Sequence, residues 1–270
     1  MILSDLHVHT SRDHGRHSAA EMAARAAFDG LHTLGLVGHA AMQFDCHYAM
    51  TPENEAAFVA ETDQLRQRYC GTMSVLRGIE LDYYSLPPVH PYDYRLGSVH
   101  YVKFGDSIVS VDSDPRQLEE AVAQLCGGNW SKLYQLYYET VADLNSVIHP
   151  HVIAHMDLIT KFNEGDRLFS TEDHRYRHAA LDAADALLAA DPIFEINTGA
   201  ISRGCRTTPY PAPFLLRHIR QRGGRILLSS DAHDSAHLLY GFDAAAQLAE
   251  SCGFRSVWTL TPEGFQEMPL

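Results

Sequence analysis

Ile2-Leu3-Ser4-Asp5-Leu6-His7-Val8-His9-Thr10 holds the pattern that decides the fold. Ile2 to Val8 has strand character, and His7 and His9 lie two apart at its end. The period-two geometry of a strand points both imidazoles to one side. The same ending recurs downstream. Leu34 to Val37 reads as a short strand with His39 just beyond it, and Met73 to Leu81 as a strand closing on Glu80. Leu96 to Val102 reads as a strand with His100 following Gly97-Ser98-Val99. Val152-Ile153-Ala154 runs into His155, and Ile226 to Leu228 leads through Ser229-Ser230 to Asp231 and His233. Ile193 to Ile196 and Val257 to Leu260 complete the expected strands.

Helical signals alternate with these runs. Ser18 and Glu21 form an S-x-x-E capping box ahead of the alanine-rich stretch to Phe28, with Gly30 as its stop. Thr51-Pro52 opens a second helix, Pro52 at the first helical position, with Phe58, Leu65 and Tyr69 spaced as a buried face. Further helices are expected over Leu118 to Leu144, broken at Gly127-Gly128, then about Tyr176 to Ala190, about Phe214 to Arg222, and through Leu248. Alternating β and α elements predict a mostly parallel sheet. With no internal repeat and no long linker, residues 1–270 read as one α/β domain.

In barrel-like α/β folds the carboxyl ends of the strands converge on one face, which holds the active site. Imidazole and carboxylate at those ends suit zinc and similar ions, and carboxylates can bridge two of them. Taken singly, His155 or Glu80 reads as an ordinary hydrogen-bonded or ion-paired residue. Taken together, the strand-end set predicts a metal centre with more than one ion. His32, His47, His174, His178 and His218 lie in polar or helical surroundings, and none of them, nor His90, His149, His151 or His237, is expected to bind metal.

Composition sets the outer limits. The 270 residues carry a net charge of −13, with 46% hydrophobic and 20% charged residues, which suits a globular protein and argues against a basic nucleic-acid-binding face. No run approaches the ~20 apolar residues of a membrane span, and Met1-Ile2-Leu3-Ser4-Asp5 lacks the basic leader of a secretory signal. The 5 cysteines are widely spaced with no C-x-x-C, as expected of free thiols in a reducing, cytoplasmic setting. Oligomeric state has no sequence signal here.

Asp5-Leu6-His7-Val8-His9-Thr10, Gly78-Ile79-Glu80-Leu81-Asp82, Gly97-Ser98-Val99-His100-Tyr101, His155-Met156-Asp157-Leu158 and Ser230-Asp231-Ala232-His233 resemble, in order, the motif series of the polymerase and histidinol phosphatase (PHP) superfamily. Val111-Asp112 and the tyrosine-rich stretch Tyr134, Tyr137, Tyr138 are similar to its monofunctional histidinol-phosphatase branch. The resemblance implies a distorted (β/α)7 barrel and three divalent ions (zinc, iron or manganese). His7, His9, Glu80 and Asp231 would hold the first, and Glu80 would bridge to a second held also by His100 and His155. His39, His233 and a loop residue would hold the third. Relatives carry that residue as a histidine or aspartate just before a glycine. The loop here, Ser11-Arg12-Asp13-His14-Gly15-Arg16-His17, is shorter by one residue; His14 fits best because Gly15 follows it, with Asp13 and His17 as alternatives.

The implied activity is hydrolysis of a small phosphomonoester, L-histidinol phosphate, in histidine biosynthesis. A hydroxide bridging the first two metals under Glu80 would attack phosphorus. Lys161 and Arg203 lie where relatives carry basic phosphate contacts, with Arg206 competing with Arg203. The substrate's ammonium and imidazole call for a carboxylate and an aromatic group, with Asp82, Asp157, Glu195 and the tyrosines as candidates. Other readings are a phosphoesterase for a different ester or a nucleotide, a non-catalytic metal-binding module, and an amidohydrolase-like barrel.

Overall fold

The computed structural model describes residues 3–44 and 46–270; the expected strand start at Ile2 lies outside them. Strands β1 (Ser4–Val8), β2 (Thr33–Leu36), β3 (Ser74–Asp82) and β4 (Tyr94–Ser98) follow one another in the main sheet. After the small hairpin β5 (Tyr101–Phe104) and β6 (Ser107–Ser110), the sheet resumes with β7 (Val152–Ile153), β8 (Ile193–Asn197) and β9 (Arg225–Ser229). Every neighbouring pair of this 7-stranded sheet is parallel.

The two edges meet and nearly close a barrel. His9 N donates to Ala232 O at 2.9 Å and Ala232 N to His7 O at 3.1 Å, beside an irregularity in β1 between Asp5 and Val8. Asp5 lies in this seam, where its carboxylate accepts from Ser230 N, Ser230 Oγ and Leu239 N.

Side chains fill the barrel floor. Leu6, Leu76, Tyr94, Leu96 and Leu227 form one buried cluster inside it. The Tyr94 hydroxyl donates to Leu6 O at 2.6 Å, across Gly35. A Cβ at Gly35 would stand 2.2 Å from that hydroxyl oxygen and 2.8 Å from Leu6 Cα, so β2 passes there only without a side chain.

Helices cover the outside. α1 (Ala19–Phe28) and α2 (Pro52–Arg68) pack over one part of the wall around Leu34, Leu36 and Val75. α3 (Pro115–Cys126), α4 (Trp130–Ala142), α5 (Leu144–Val147), α6 (His174–Leu188), α7 (Gly199–Ser202), α8 (Pro213–Gln221) and α9 (Phe242–Ser251) follow along the chain. Their apolar faces meet Ile153, Phe194, Ile196 and Leu228. The capping box at Ser18 and Glu21 forms as the sequence predicts, and Asp114, Asn129 and Asp173 cap later helices with their side chains.

Two strand expectations change. The strand expected over Leu96 to Val102 stops at Ser98, because Asp82 Oδ2 accepts the His100 backbone N–H at 2.7 Å and takes Val99-His100 out of the ladder. The chain resumes as the antiparallel β5–β6 pair. The last expected strand is half of a hairpin, β10 (Ser256–Thr261) with β11 (Gly264–Pro269). β10 adds Leu260 to the barrel floor, and its Thr259 hydroxyl donates to Ser4 Oγ. Among the described residues, no helix is long and apolar enough to cross a membrane.

Candidate metal centre

Glu80, at the carboxyl end of β3, is the hub. Its Oε2 lies 3.2 Å from His7 Nε2, 3.3 Å from His9 Nε2 and 3.2 Å from His39 Nδ1. Its Oε1 lies 3.2 Å from His155 Nε2 and 3.5 Å from His100 Nε2. Asp231 Oδ1 stands 3.6 Å from both His7 Nε2 and His9 Nε2. His14 and His233 join His9 and His39 in a second set, whose nitrogens lie within 4.8 Å of one another. The loop therefore brings His14 to the cluster. Asp13 and His17 turn elsewhere: Asp13 Oδ2 meets His9 Nδ1 at 2.6 Å, and His17 Nδ1 accepts from Ser235 N at 3.2 Å.

A layer of acceptors behind the imidazoles fixes which nitrogen faces inward. Glu195 Oε1 takes His7 Nδ1 at 2.6 Å while its Oε2 accepts the His155 backbone N–H at 3.0 Å. Asp13 holds His9 and also accepts the His39 backbone N–H at 3.2 Å. Asp82 Oδ2 lies 3.4 Å from His100 Nδ1, and Asp231 O lies 2.9 Å from His233 Nδ1. An acceptor at Nδ1 holds the proton there and leaves the Nε2 lone pair free, as metal-binding histidines require. His155 and Asp231 adopt positive φ angles of 21° and 49°, the uncommon left-handed region where functional residues collect.

Electrostatics divides the imidazoles. Burial alone would lower His9, but Asp13 and then Glu80 outweigh it and push it up to about 9. His100 also rises to about 9, with Asp82 and Glu80 overcoming its burial. His14 falls to about 4 through burial and the charge on His9. Burial likewise carries His39 and His233 well below the ordinary value. Glu80 is held well below the carboxylate range despite burial, by His39 and His7.

The donor set fits divalent metal. Buried imidazoles packed this closely repel one another once charged, and His233 Nε2 and His155 Nδ1 are buried without a hydrogen-bond partner. Imidazole and carboxylate together suit zinc, iron and manganese.

A cavity of about 430 Å³ opens over the cluster. Glu80, His100, His155, Asp231 and His233 form its floor, while Lys161, Arg203, Asp112, Tyr48 and Tyr101 line its walls. Lys161 and Arg203 thus both lie on this cavity. Arg203 Nη2 lies 3.0 Å from Asp231 Oδ2, and Nη1 lies 2.9 Å from Asp231 O and 3.2 Å from His233 Nδ1. Arg206 turns away, over the Tyr210 ring and onto Thr160 O.

The acids expected to meet the substrate are otherwise engaged. Asp82 faces the His100 imidazole and backbone, Glu195 holds the His7 imidazole, and Asp157 Oδ2 is buried against Ala212 N at 2.9 Å. Glu195 carried a signal of its own, a charged residue in the apolar run Ile193-Phe194-Glu195-Ile196. Asp112 on the cavity wall entered the sequence reading only within the Val111-Asp112 pair of the resemblance, with no role attached, because it sits in the loop after β6.

Together the barrel and the site define a class: a nearly closed parallel barrel whose carboxyl-end face gathers imidazoles and carboxylates that could hold metal ions. The PHP domain model matches residues 5–199, and the chain belongs to the PHP-domain family. A probable histidinol-phosphatase of Schizosaccharomyces pombe is 30% identical over 211 residues, covering 74% of this chain and 67% of the relative. A second probable histidinol-phosphatase, from Deinococcus radiodurans, is 28% identical over 266 residues, 94% of this chain and 95% of its own. The crystal structure of the Lactococcus lactis histidinol phosphate phosphatase, complexed with zinc, L-histidinol and phosphate, matches with a TM-score of 0.74 at 17% identity, covering 98% of this chain and 99% of that one. At that identity the likeness is one of fold.

Proposed function

We propose that the chain is a metal-dependent phosphatase that hydrolyses L-histidinol phosphate to L-histidinol and inorganic phosphate. The observation that carries this reading is the convergence of the strand-end imidazoles on both oxygens of Glu80, beneath a cavity whose lining includes Lys161 and Arg203. Two relatives that match this chain at length bear the corresponding name.

In this reading one barrel domain runs the length of the chain and works as a biosynthetic enzyme of the cytoplasm. His7, His9, Glu80 and Asp231 would hold one ion; Glu80, His100 and His155 would hold a second; His14, His39 and His233 would hold a third. Divalent ions, when bound, supply Lewis acidity and a hydroxide nucleophile at neutral pH. Glu80, with one oxygen toward His7 and His9 and the other toward His100 and His155, would serve two of the sites. Glu195, Asp13 and Asp82 hold His7, His9 and His100 with Nε2 inward. Arg203 and Lys161 bind and orient the phosphoryl oxygens, the guanidinium through fixed donors and the ammonium as a point charge. Tyr48 and Tyr101, with parallel rings 6.3 Å apart, give the organic part of the ester an aromatic wall.

The test is phosphate release from L-histidinol phosphate, beside p-nitrophenyl phosphate and a dinucleotide, with metal content measured on the same sample. The expected kcat/KM for L-histidinol phosphate is about 10⁴ M⁻¹s⁻¹ or more, well above the other two. A fully metallated protein inert toward every ester would overturn the reading.

A further inference from the structure

The groove between α4 and α6, outside the metal centre, gathers ligating side chains of its own. It encloses about 510 Å³, and its lining includes Glu139 from α4 and His174, His178 and Asp182 from α6. None of these four lines the cavity over Glu80. Read singly, His174 and His178 are solvated histidines. On α6 they stand four residues apart on one helix face, a spacing that puts their Cβ atoms about 5–6 Å from each other. Two imidazoles of one helix share a zinc ion at this spacing. The side chains are 91% and 77% exposed, so both rings are free to rotate toward an ion.

The surroundings favour a cation. Asp182 Oδ2 lies 2.7 Å from His178 Nδ1, and Asp173 Oδ1 lies 3.5 Å from His174 Nδ1. Each imidazole thus has a carboxylate at Nδ1, which leaves the Nε2 lone pair for metal, as Glu195 and Asp13 do for His7 and His9 in the barrel. Arg175, which also lines the groove, is paired with Asp173 at 2.8 Å, so its charge is met within the helix. Glu139, exposed on α4, offers a third ligand from across the groove. We propose that His174, His178 and Glu139 hold a divalent transition ion of the zinc class, which clamps α4 to α6 at a site separate from the metal centre. The proposal does not depend on the phosphatase reading. Three ligands in water bind more loosely than the four of a closed structural site, and the expected Kd for zinc is about 10 µM.

The competing role for these histidines is to form surface ion pairs with the neighbouring acids, and the two roles separate in zinc uptake. Zinc bound per chain is measured by equilibrium dialysis against increasing free Zn²⁺, on protein without a histidine tag. The proteins compared are the wild type, His174→Ala, His178→Ala and Glu139→Gln. All three positions are exposed, so the variants are expected to keep the wild-type Tm. Above its tightly held zinc, the wild type is expected to take up a further ion with a Kd of about 10 µM. Each histidine variant binds that ion at least about 10-fold more weakly, and Glu139→Gln about 10-fold more weakly. Tight uptake is the same in all four proteins, so the comparison holds whatever the metal centre binds. A wild type that takes up no further ion below about 100 µM free zinc would overturn the proposal. So would a further ion whose affinity is unchanged in both histidine variants. An ion lost with the histidines but indifferent to Glu139→Gln would confine it to α6 and overturn the clamp.

Discussion

Glu80 divides its two oxygens between two groups of imidazoles, and that division is a property of the carboxylate alone. Glu80→Gln puts an amide NH₂ where one set of lone pairs stood. Metal content is expected to drop together with kcat/KM, the latter at least about 100-fold, the rate equivalent of the several kcal/mol that metal charge stabilisation supplies. A fully metallated, active variant would end the bridging role. Asp13 acts one step back, on His9 Nδ1 and the His39 backbone. Asp13→Ala is expected to weaken zinc binding by about 10- to 100-fold in a competition titration, as loss of such supporting groups does elsewhere. Arg203→Ala is expected to raise KM for phosphomonoesters. Because the guanidinium also braces Asp231 through its main-chain and side-chain oxygens, Arg203→Lys should restore little of it.

At the scale of elements, the barrel strands keep the site in place by filling their own interior. Gly35 of β2 lets Tyr94 cross to Leu6 O, and a methyl group there has nowhere to go. Gly35→Ala is expected to cost about 1–3 kcal/mol, read as a lowered urea midpoint with an unchanged slope. α1 owes its start to the Ser18–Glu21 box, so Ser18→Ala is expected to cost about 1 kcal/mol and leave activity intact. The alternation of strands and helices and the starts of α1 and α2 were legible in the sequence because each depends on neighbours close in the chain. The β5–β6 and β10–β11 hairpins were not, since their short strands carry little apolar periodicity and gain their stability by packing on the barrel.

The whole molecule couples protons, metal and stability. His9 and His100 sit at about 9 in the metal-free protein, so each must release a proton at neutral pH before Nε2 can bind an ion. Zinc affinity is therefore expected to rise about tenfold per pH unit for each proton displaced, between about pH 6 and 8; a flat profile would contradict it. His14, at about 4, is already neutral and adds no slope in that range. The same shifts have a stability side. Raised histidines stabilise the metal-free fold fully below the unfolded value of about 6.5, and that contribution is lost as pH rises through about 9. Calorimetry should show the metal-free Tm falling over that interval. At a free metal concentration near 1,000 times its Kd, linkage gives about 4 kcal/mol, so chelation is expected to lower Tm by roughly 10 °C at neutral pH.

The sequence by itself determined that parallel strands end in His7, His9, His39, Glu80, His100, His155, Asp231 and His233, because strand periodicity and helix capping act over a few residues. Barrel closure turns that list into one site, since the carboxyl ends of parallel strands share a face. Only the tertiary structure decided the loop. His14 reaches the cluster because Asp13 is drawn to His9 and the His39 backbone, and His17 to Ser235. Only tertiary structure set Asp112 beside Lys161 on the cavity wall, 49 residues away along the chain. Side chains on loops take their direction from partners distant in sequence, and no local spacing records where those partners lie.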